Sequence, residues 1–276
     1  MKAAVLLQGD PRFCVEFDRF LENFQECDQV DYFMYLWENN TPTANLAAGD
    51  GHRVVADSWQ HVNRDRALQR FAEYLPPHHR VVNLTLGDQN SVVHEPLTEN
   101  FAQETRQANV WKMWYSLHNA NRLITEYERE NNFVYDLVVR TRPDVALMNP
   151  IRAPHLKDQL DKDPNLVIIP NNKRCGYNGT WMCDLFAISS SKNMTVYCDL
   201  YNQALAHHQA GVIFHPETML GQHLQRNNLR YEPGGFEIEF RHQGIWRDVN
   251  TGEEWTSNRV PNWHEKIYIS EFGRWA

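Results

Sequence analysis

A short charged cluster follows an apolar run near the middle of the sequence. In YDLVVRTRPDVAL, residues 135–147, Arg140, Arg142 and Asp144 come directly after the apolar residues 137–139. Charges beside a buried strand must be solvated, paired or bound to a ligand, because an unpaired buried charge is costly. Guanidinium groups bind phosphate oxygens in bidentate fashion, and a carboxylate with diphosphate oxygens suits Mg²⁺ or Mn²⁺. We interpret the cluster as a diphosphate and cation site; the alternative is a structural Arg–Asp ion pair.

A second candidate site follows the first apolar run of the chain. Residues 9–12 read Gly9, Asp10, Pro11 and Arg12. Glycine lets a ligand approach the backbone closely, and the free N–H groups of a following helix attract phosphate. Arg12 adds positive charge. The alternative is an ordinary turn in which Asp10 caps the helix and Pro11 is its first residue.

Two acidic residues in the second half of the chain could act in acid–base chemistry. Asp184 follows a Gly-containing polar loop and opens an apolar run, whereas Glu217 lies in the sequence His215-Pro216-Glu217 at a predicted helix start. Either carboxylate could deprotonate an acceptor hydroxyl. Glutamate is also common in a first helical turn for electrostatic reasons alone.

Other features exclude several classes of protein. The net charge of −8 and the absence of a basic run argue against nucleic acid as a partner. No GxSxG, HExxH, GxxxxGK[ST] or GxGxxG motif is present. The five cysteines have no zinc-type spacing and predict free thiols in a reducing compartment. The first residues are too short for a signal peptide or membrane span, which predicts a cytoplasmic protein.

Alternating apolar runs and helical patterns must position these candidate residues. Strands are predicted at 3–7, 30–37, 81–86, 135–139, 166–170 and 184–189. Helices are predicted at 12–26, 62–74, 107–130, 191–208 and 216–228. Loops are predicted at 38–56, 87–104 and 171–180, and the tail from 231 has no period. The alternation predicts one α/β domain over 1–276 with a mostly parallel sheet flanked by helices, residues 1–150 forming a nucleotide-binding half and 151–276 an acceptor-side half.

Five blocks of sequence keep a common order along the chain. They are AVLLQGDPR, DYFMYLW, YDLVVRTRPDV, DLFAIS followed by Met194 and Tyr197, and PETMLGQHL. In this order the chain resembles small glycosyltransferases of the GT-A type, over residues 3–230. It is most similar to the WavE-like polysaccharide-synthesis proteins and to glycosyltransferases of large algal viruses.

The resemblance implies a GT-A-like, Rossmann-related fold and a role for each candidate residue. Gly9, Asp10 and Arg12 are expected near the donor nucleotide. Arg140, Arg142 and Asp144 are expected on the diphosphate, with Asp144 also holding Mn²⁺ or Mg²⁺, of which Mn²⁺ is favoured. The family's DxD motif is replaced here by Arg-Pro-Asp, so only one of its two acids is present. The remaining expectations concern the sugar side, with Asp184 and Glu217 as catalytic carboxylates and Asn178 and Trp181 as acceptor contacts.

From the residues and the resemblance together, we expect a glycosyltransferase. Its donor would be a nucleotide diphosphate sugar, with uridine as the expected base, and its acceptor a hydroxyl group of a glycan. Two alternatives stay open. One is a nucleotidyltransferase that makes the sugar nucleotide, although GDPRF lacks the long Gly/Arg/Lys-rich loop such an enzyme needs. The other is a non-catalytic carbohydrate-binding protein that uses some of the 9 Trp residues.

Overall fold

The computed structural model describes most of the chain in several stretches. These are residues 1–9, 22–38, 53–55, 75–92, 104–143, 145–174, 176, 179–240, 244–247 and 254–257. The predicted helix at 62–74 and most of that at 12–26 lie outside these residues, as do Asp10, Arg12, Asp144 and Asn178.

Four parallel strands form the first half of a seven-stranded sheet. They are β1 (Lys2–Gly9), β2 (Gln29–Trp37), β4 (His79–Gly87) and β5 (Leu137–Thr141), arranged β4-β2-β1-β5. A further short strand, β3 (Arg53–Val55), lies outside this sheet. Residues 3–7 of β1 have no exposed surface. A continuous apolar run, rather than an alternating one, is what a parallel strand covered on both faces requires.

Three further strands complete the sheet in the order β8-β7-β9 beyond β5. They are β7 (Leu166–Ile169), β8 (Ala187–Ser189) and β9 (Arg230–Pro233). Within this sheet β8 runs antiparallel to both of its neighbours, and the other pairs are parallel. The prediction of an α/β fold with a mostly parallel central sheet is therefore confirmed. The sequence predicted β8 over 184–189, but the strand begins three residues later, and β9 was missed in the tail.

Five described α-helices flank the sheet. They are α1 (Glu104–Asn131), α2 (Ala153–Lys162), α3 (Ser191–Cys198), α4 (Leu200–Gln209) and α5 (Pro216–Arg226), and a 3₁₀ turn covers Gln89–Ser91. Helix α1 packs on β1, where Ser116 donates a 2.6 Å hydrogen bond to Gln8. The single helix predicted at 191–208 is divided at Asp199, and α2 was not predicted. None of these helices combines the length and apolar character needed to cross a bilayer.

Two small antiparallel sheets are also described. Strand β6 (Val145–Leu147) pairs with β10 (Ile238–Phe240), which brings the segment after β5 against the C-terminal region. Strand β11 (Gly244–Arg247) pairs with both β3 and β12 (Glu254–Ser257). The tail that showed no period thus contains short strands, whose length gives a sequence pattern too little room to repeat.

A buried carboxylate fastens the amino-terminal edge of the sheet. Asp31 of β2 has no exposed surface and accepts hydrogen bonds from both Nε and Nη2 of Arg80, at 2.6 and 3.0 Å. Tyr135 and Gln29 donate to the same carboxylate. Both oxygens of this buried carboxylate have hydrogen-bond partners, so its charge is compensated. The same hydrogen bonds join β2, β4 and the start of β5.

A chain of neutral histidines joins α4 to α5. His223 Nε2 lies 2.7 Å from the carbonyl oxygen of Val196 and must donate to it, so its Nδ1 accepts from Nε2 of His207 at 2.9 Å. Arg226 Nη1 then donates to Nδ1 of His207 at 3.1 Å. Burial lowers the pKa of both imidazoles, and the positive charge of Arg226 lowers that of His207 further. A proton added to either ring breaks one of these hydrogen bonds.

The histidine chain predicts acid-sensitive stability. Both pKa values lie below that of an unfolded histidine, so the unfolded chain binds more protons and the free energy of unfolding falls as pH drops below about 6.5. Urea unfolding at pH 7.5, 6.0 and 5.0 measures this. Ordinary carboxylates stay ionised over most of that range and contribute little.

Matched variants assign the effect to the chain. A His207→Gln/His223→Gln double variant should be less stable at pH 7.5 but show a shallower pH dependence. The exposed His155→Gln control should keep the wild-type slope. Stability that stays constant or rises from pH 7.5 to 5.0 would contradict the neutral assignment.

Candidate functional site

The carboxyl ends of β1 and β5 form the point at which the strand order reverses. From β1 the chain builds outward through β2 to β4 and then returns to the other side of β1 with β5. In open α/β sheets the carboxyl ends of the strands at such a reversal are where ligands bind. Gly9 and Arg142 lie there.

Gly9 has a backbone that favours glycine. Its φ of +103° lies in a region that side chains rarely adopt, and a Cβ placed there would meet no atom of the described residues within 4 Å. The conformation therefore selects glycine, and no described atom fills the space that a side chain would take. This is the arrangement that lets a ligand approach the backbone at the tip of β1.

The predicted site residues Arg140 and Arg142 differ in how deeply their side chains are buried. Arg142 comes directly after β5 and is half-buried, at the edge of the sheet. Arg140 lies within β5, in register with Leu6 of β1 and Ala187 of β8, and has no exposed surface. Only Arg142 stands at the strand end where the sequence placed both.

The guanidinium group of Arg140 is buried and has no counter-ion among the described residues. Among the described residues, Nε, Nη1 and Nη2 have no hydrogen-bond partner. The positive charge of Arg140 acts instead on Tyr197 and Cys198 of α3 and on Cys183. Burial raises the pKa of all three and Arg140 partly offsets the rise, so that the pKa of Cys183 stands at about 12. These groups are neutral at physiological pH and cannot balance the charge.

The negative charge of Asp184 acts both on groups near Arg140 and on a histidine. The residue is 7% exposed, and its negative charge raises the pKa of both Cys183 and Tyr197. The same charge raises the pKa of His215, although burial has the larger, opposite effect and the net pKa is lowered. Because β8 is reversed, Asp184 at its entrance lies at the same sheet edge as Gly9 and Arg142.

Glu217 reaches this edge from α5. Its carboxylate lies 3.4 Å from Nδ1 of His215, and about 15% of the side chain is exposed. This distance suggests an ion pair, but the same Nδ1 accepts the Thr218 N–H as the helix cap, and burial keeps the imidazole neutral. We therefore treat the contact as a carboxylate beside a neutral imidazole.

The predicted acceptor residue Trp181 is exposed at the outer surface of the loop that leads to Asp184. It is 60% exposed, whereas Thr180 and Met182 on either side are buried. Thr180 packs against Gly221 of α5, where an added Cβ would come within 2.2 Å of Thr180 Cγ2. The buried residues on either side of Trp181 therefore hold the loop in place. The indole itself is exposed to solvent, where it can stack on a sugar ring. By contrast, Trp111 and Trp114 are buried against Phe214 and belong to the core.

Four residues with predicted roles lie outside the described part of the chain. Asp10 and Arg12 follow Gly9 in the sequence, Asp144 follows residue 143, and Asn178 precedes Gly179. Among the residues that are described, no group of three or more His, Cys, Asp or Glu side chains is arranged to hold a metal ion. The predicted ligand Asp144 is not among them.

Two residues whose pKa values respond to the charge of Asp184 were not identified as candidates from the sequence. His215 was read only as part of the segment leading to Glu217, and Tyr197 only as part of a family-like block. Tyr197 is fully buried, and its hydroxyl has no hydrogen-bond partner among the described residues. The His-Pro-Glu helix start could have indicated the histidine. Nothing in the local sequence marks the tyrosine, because its position depends on how α3 packs against β5.

Comparison with known proteins adds no family assignment. No protein-family model matches the chain, and no curated protein has a significantly similar sequence.

Proposed function

We propose that this protein is a glycosyltransferase that moves a sugar from a nucleotide diphosphate sugar, with UDP as the expected nucleotide, to a hydroxyl group of a glycan. The fold we propose is GT-A-like. The strand order β4-β2-β1-β5-β8-β7-β9, with one reversed strand, supports this part of the proposal.

One observation carries the proposal. Gly9, Arg142, Asp184 and Glu217 come from four separate segments of the chain, and the topology brings all four to the carboxyl edge of one sheet. An open backbone position and a cation then lie on the nucleotide-binding half, with carboxylates on the other half. That distribution suits a ligand with an anionic part and a polyhydroxyl part.

On the donor side, we assign the diphosphate to the carboxyl edge of β1 and β5. The backbone at Gly9 allows close approach, and Arg142 neutralises charge that develops on the leaving diphosphate. Asp144 would hold Mn²⁺ or Mg²⁺, which would supply further neutralisation when bound. Because only one acid stands in place of DxD, Arg142 would supply part of the positive charge that the diphosphate requires.

On the acceptor side, we assign the general base to Asp184 and a supporting role to Glu217. Asp184 is nearly buried, so a hydroxyl that displaces its remaining water meets a carboxylate in a low-dielectric surrounding. Its neighbour His215 is neutral and can accept or donate a hydrogen bond without adding charge. Trp181 offers an exposed ring on which the acceptor sugar can stack.

The proposed metal ligand can be tested by Asp144→Ala. Transfer, measured as release of UDP from UDP-sugars with Mn²⁺ and glycan acceptors, should fall by roughly 100-fold or more. The melting temperature without ligand should stay near that of the wild type. A variant that unfolds would instead support the structural ion pair as the role of Asp144.

The proposed base can be tested by Asp184→Asn, which keeps the size of the side chain. We expect kcat to fall by about 100-fold to 10,000-fold while the affinity for the donor is kept. The donor affinity is measured separately by the rise in melting temperature, which corresponds to about 2.7 kcal/mol at a ligand concentration one hundred times Kd. Loss of donor binding would move Asp184 to the nucleotide, and wild-type protein with no nucleotide response at all would favour a carbohydrate-binding protein.

A further inference from the structure

Arg140 is the most unfavourably placed charge among the described residues. It has no exposed surface, and all three guanidinium nitrogens lack a hydrogen-bond partner there. A desolvated, unpaired guanidinium group costs several kcal/mol, and a nonpolar side chain of similar size would be tolerated better. The amino edge of the same sheet shows the alternative, because Arg80 there is paired with Asp31. Because the buried charge of Arg140 is retained at this free-energy cost, we infer that it binds a ligand that is not part of the chain.

The surroundings of Arg140 define what that partner is. Its neighbours Tyr197, Cys183 and Cys198 are buried and neutral, and the Tyr197 hydroxyl is a further unpaired donor. A guanidinium group and a hydroxyl that are both buried and both lack an acceptor fit an oxyanion, which can accept hydrogen bonds from each of them.

The position of Arg140 separates this oxyanion from the donor diphosphate. Arg142 comes directly after β5, whereas Arg140 lies within β5, opposite Ala187 of β8 and on a strand in contact with α3. The segment that leads into β8 carries Asp184, the proposed base, which must lie beside the transferred sugar at the point of transfer. An anion there belongs to a sugar ring rather than to the diphosphate, and the anionic group of common sugars is a carboxylate.

We propose that Arg140 and the Tyr197 hydroxyl form a carboxylate-binding subsite, so that the sugar handled at this site is a uronic acid or another acidic sugar. This rests on the proposed function, since it names the substrate class of the same site. Because Arg140 has no exposed surface, a carboxylate can reach it only if part of its cover is displaced on binding.

The first test compares stability with binding in Arg140→Met. Without ligand, the variant should melt roughly 2 °C or more above the wild type, because a buried unpaired charge is removed. The wild type should bind UDP-glucuronate more tightly than UDP-glucose in the presence of Mn²⁺. In Arg140→Met the affinity for UDP-glucuronate should fall about tenfold to a hundredfold, to the level of UDP-glucose.

Two further variants serve as controls. Arg122→Met removes a surface arginine whose side chain is 60% exposed, and should change neither stability without ligand nor the preference for UDP-glucuronate. Tyr197→Phe removes only the unpaired hydroxyl. It should fold as well as the wild type and weaken UDP-glucuronate selectively.

The possible outcomes decide between the subsite and the function on which it rests. Equal binding of both donors by wild type and Arg140→Met would overturn the subsite and leave the transferase proposal intact. Equal weakening of both donors would place Arg140 on the diphosphate and also overturn the subsite, as would an Arg140→Met protein that is strongly destabilised. If neither donor binds the wild type, the transferase proposal fails. In that case free glucuronate tests the subsite. The subsite is supported if glucuronate raises the melting temperature of the wild type but not that of Arg140→Met, and it is overturned otherwise.

Discussion

The burial of β1 on both faces is the constraint on which the rest of the molecule depends. Residues 3–7 have no exposed surface and pair with β2 on one side and β5 on the other. An apolar strand in that position forces every polar group of the neighbouring loops to the ends of the sheet. The crossover from β4 to β5 then reverses the strand order beside β1, where sheets of this kind bind ligands. The candidate site follows from this topology before any of its side chains is considered.

Two buried charged side chains at different ends of the sheet differ in their pairing. At the amino edge Asp31 is fully paired, and the charge network fastens three segments together. At the carboxyl edge Arg140 and the Tyr197 hydroxyl are buried without partners among the described residues. Proteins retain unfavourable polar groups where function requires them, and satisfy them elsewhere. The unpaired buried charge supports the proposed position of the site.

Much of the fold could be predicted from the sequence because its signals are long or continuous. The runs at 3–7 and 30–37 and the pattern at 107–130 correspond to β1, β2 and α1. The reversal of β8 was not predictable, because an apolar strand carries no mark of its direction. Strand β9 was missed since its residues are mostly exposed at the sheet edge and show no apolar run.

For the site, sequence alone identified the segments but not the depth of each side chain. Arg140 and Arg142 are two residues apart and looked equivalent, yet the strand ends between them at Thr141. The difference in burial that gives them separate roles arises only when α3 packs over β5. The role of Tyr197 depends on the same packing.

The proposed function requires that the carboxyl edge of β1 and β5 binds a diphosphate. Calorimetric titration of the wild-type protein with uridine, UMP and UDP, each with Mn²⁺ and at two salt concentrations, measures this binding. We expect affinity to rise with each added phosphate, and added salt to weaken UDP binding more than uridine binding. Equal affinity for all three ligands, or no binding of UDP, would contradict it.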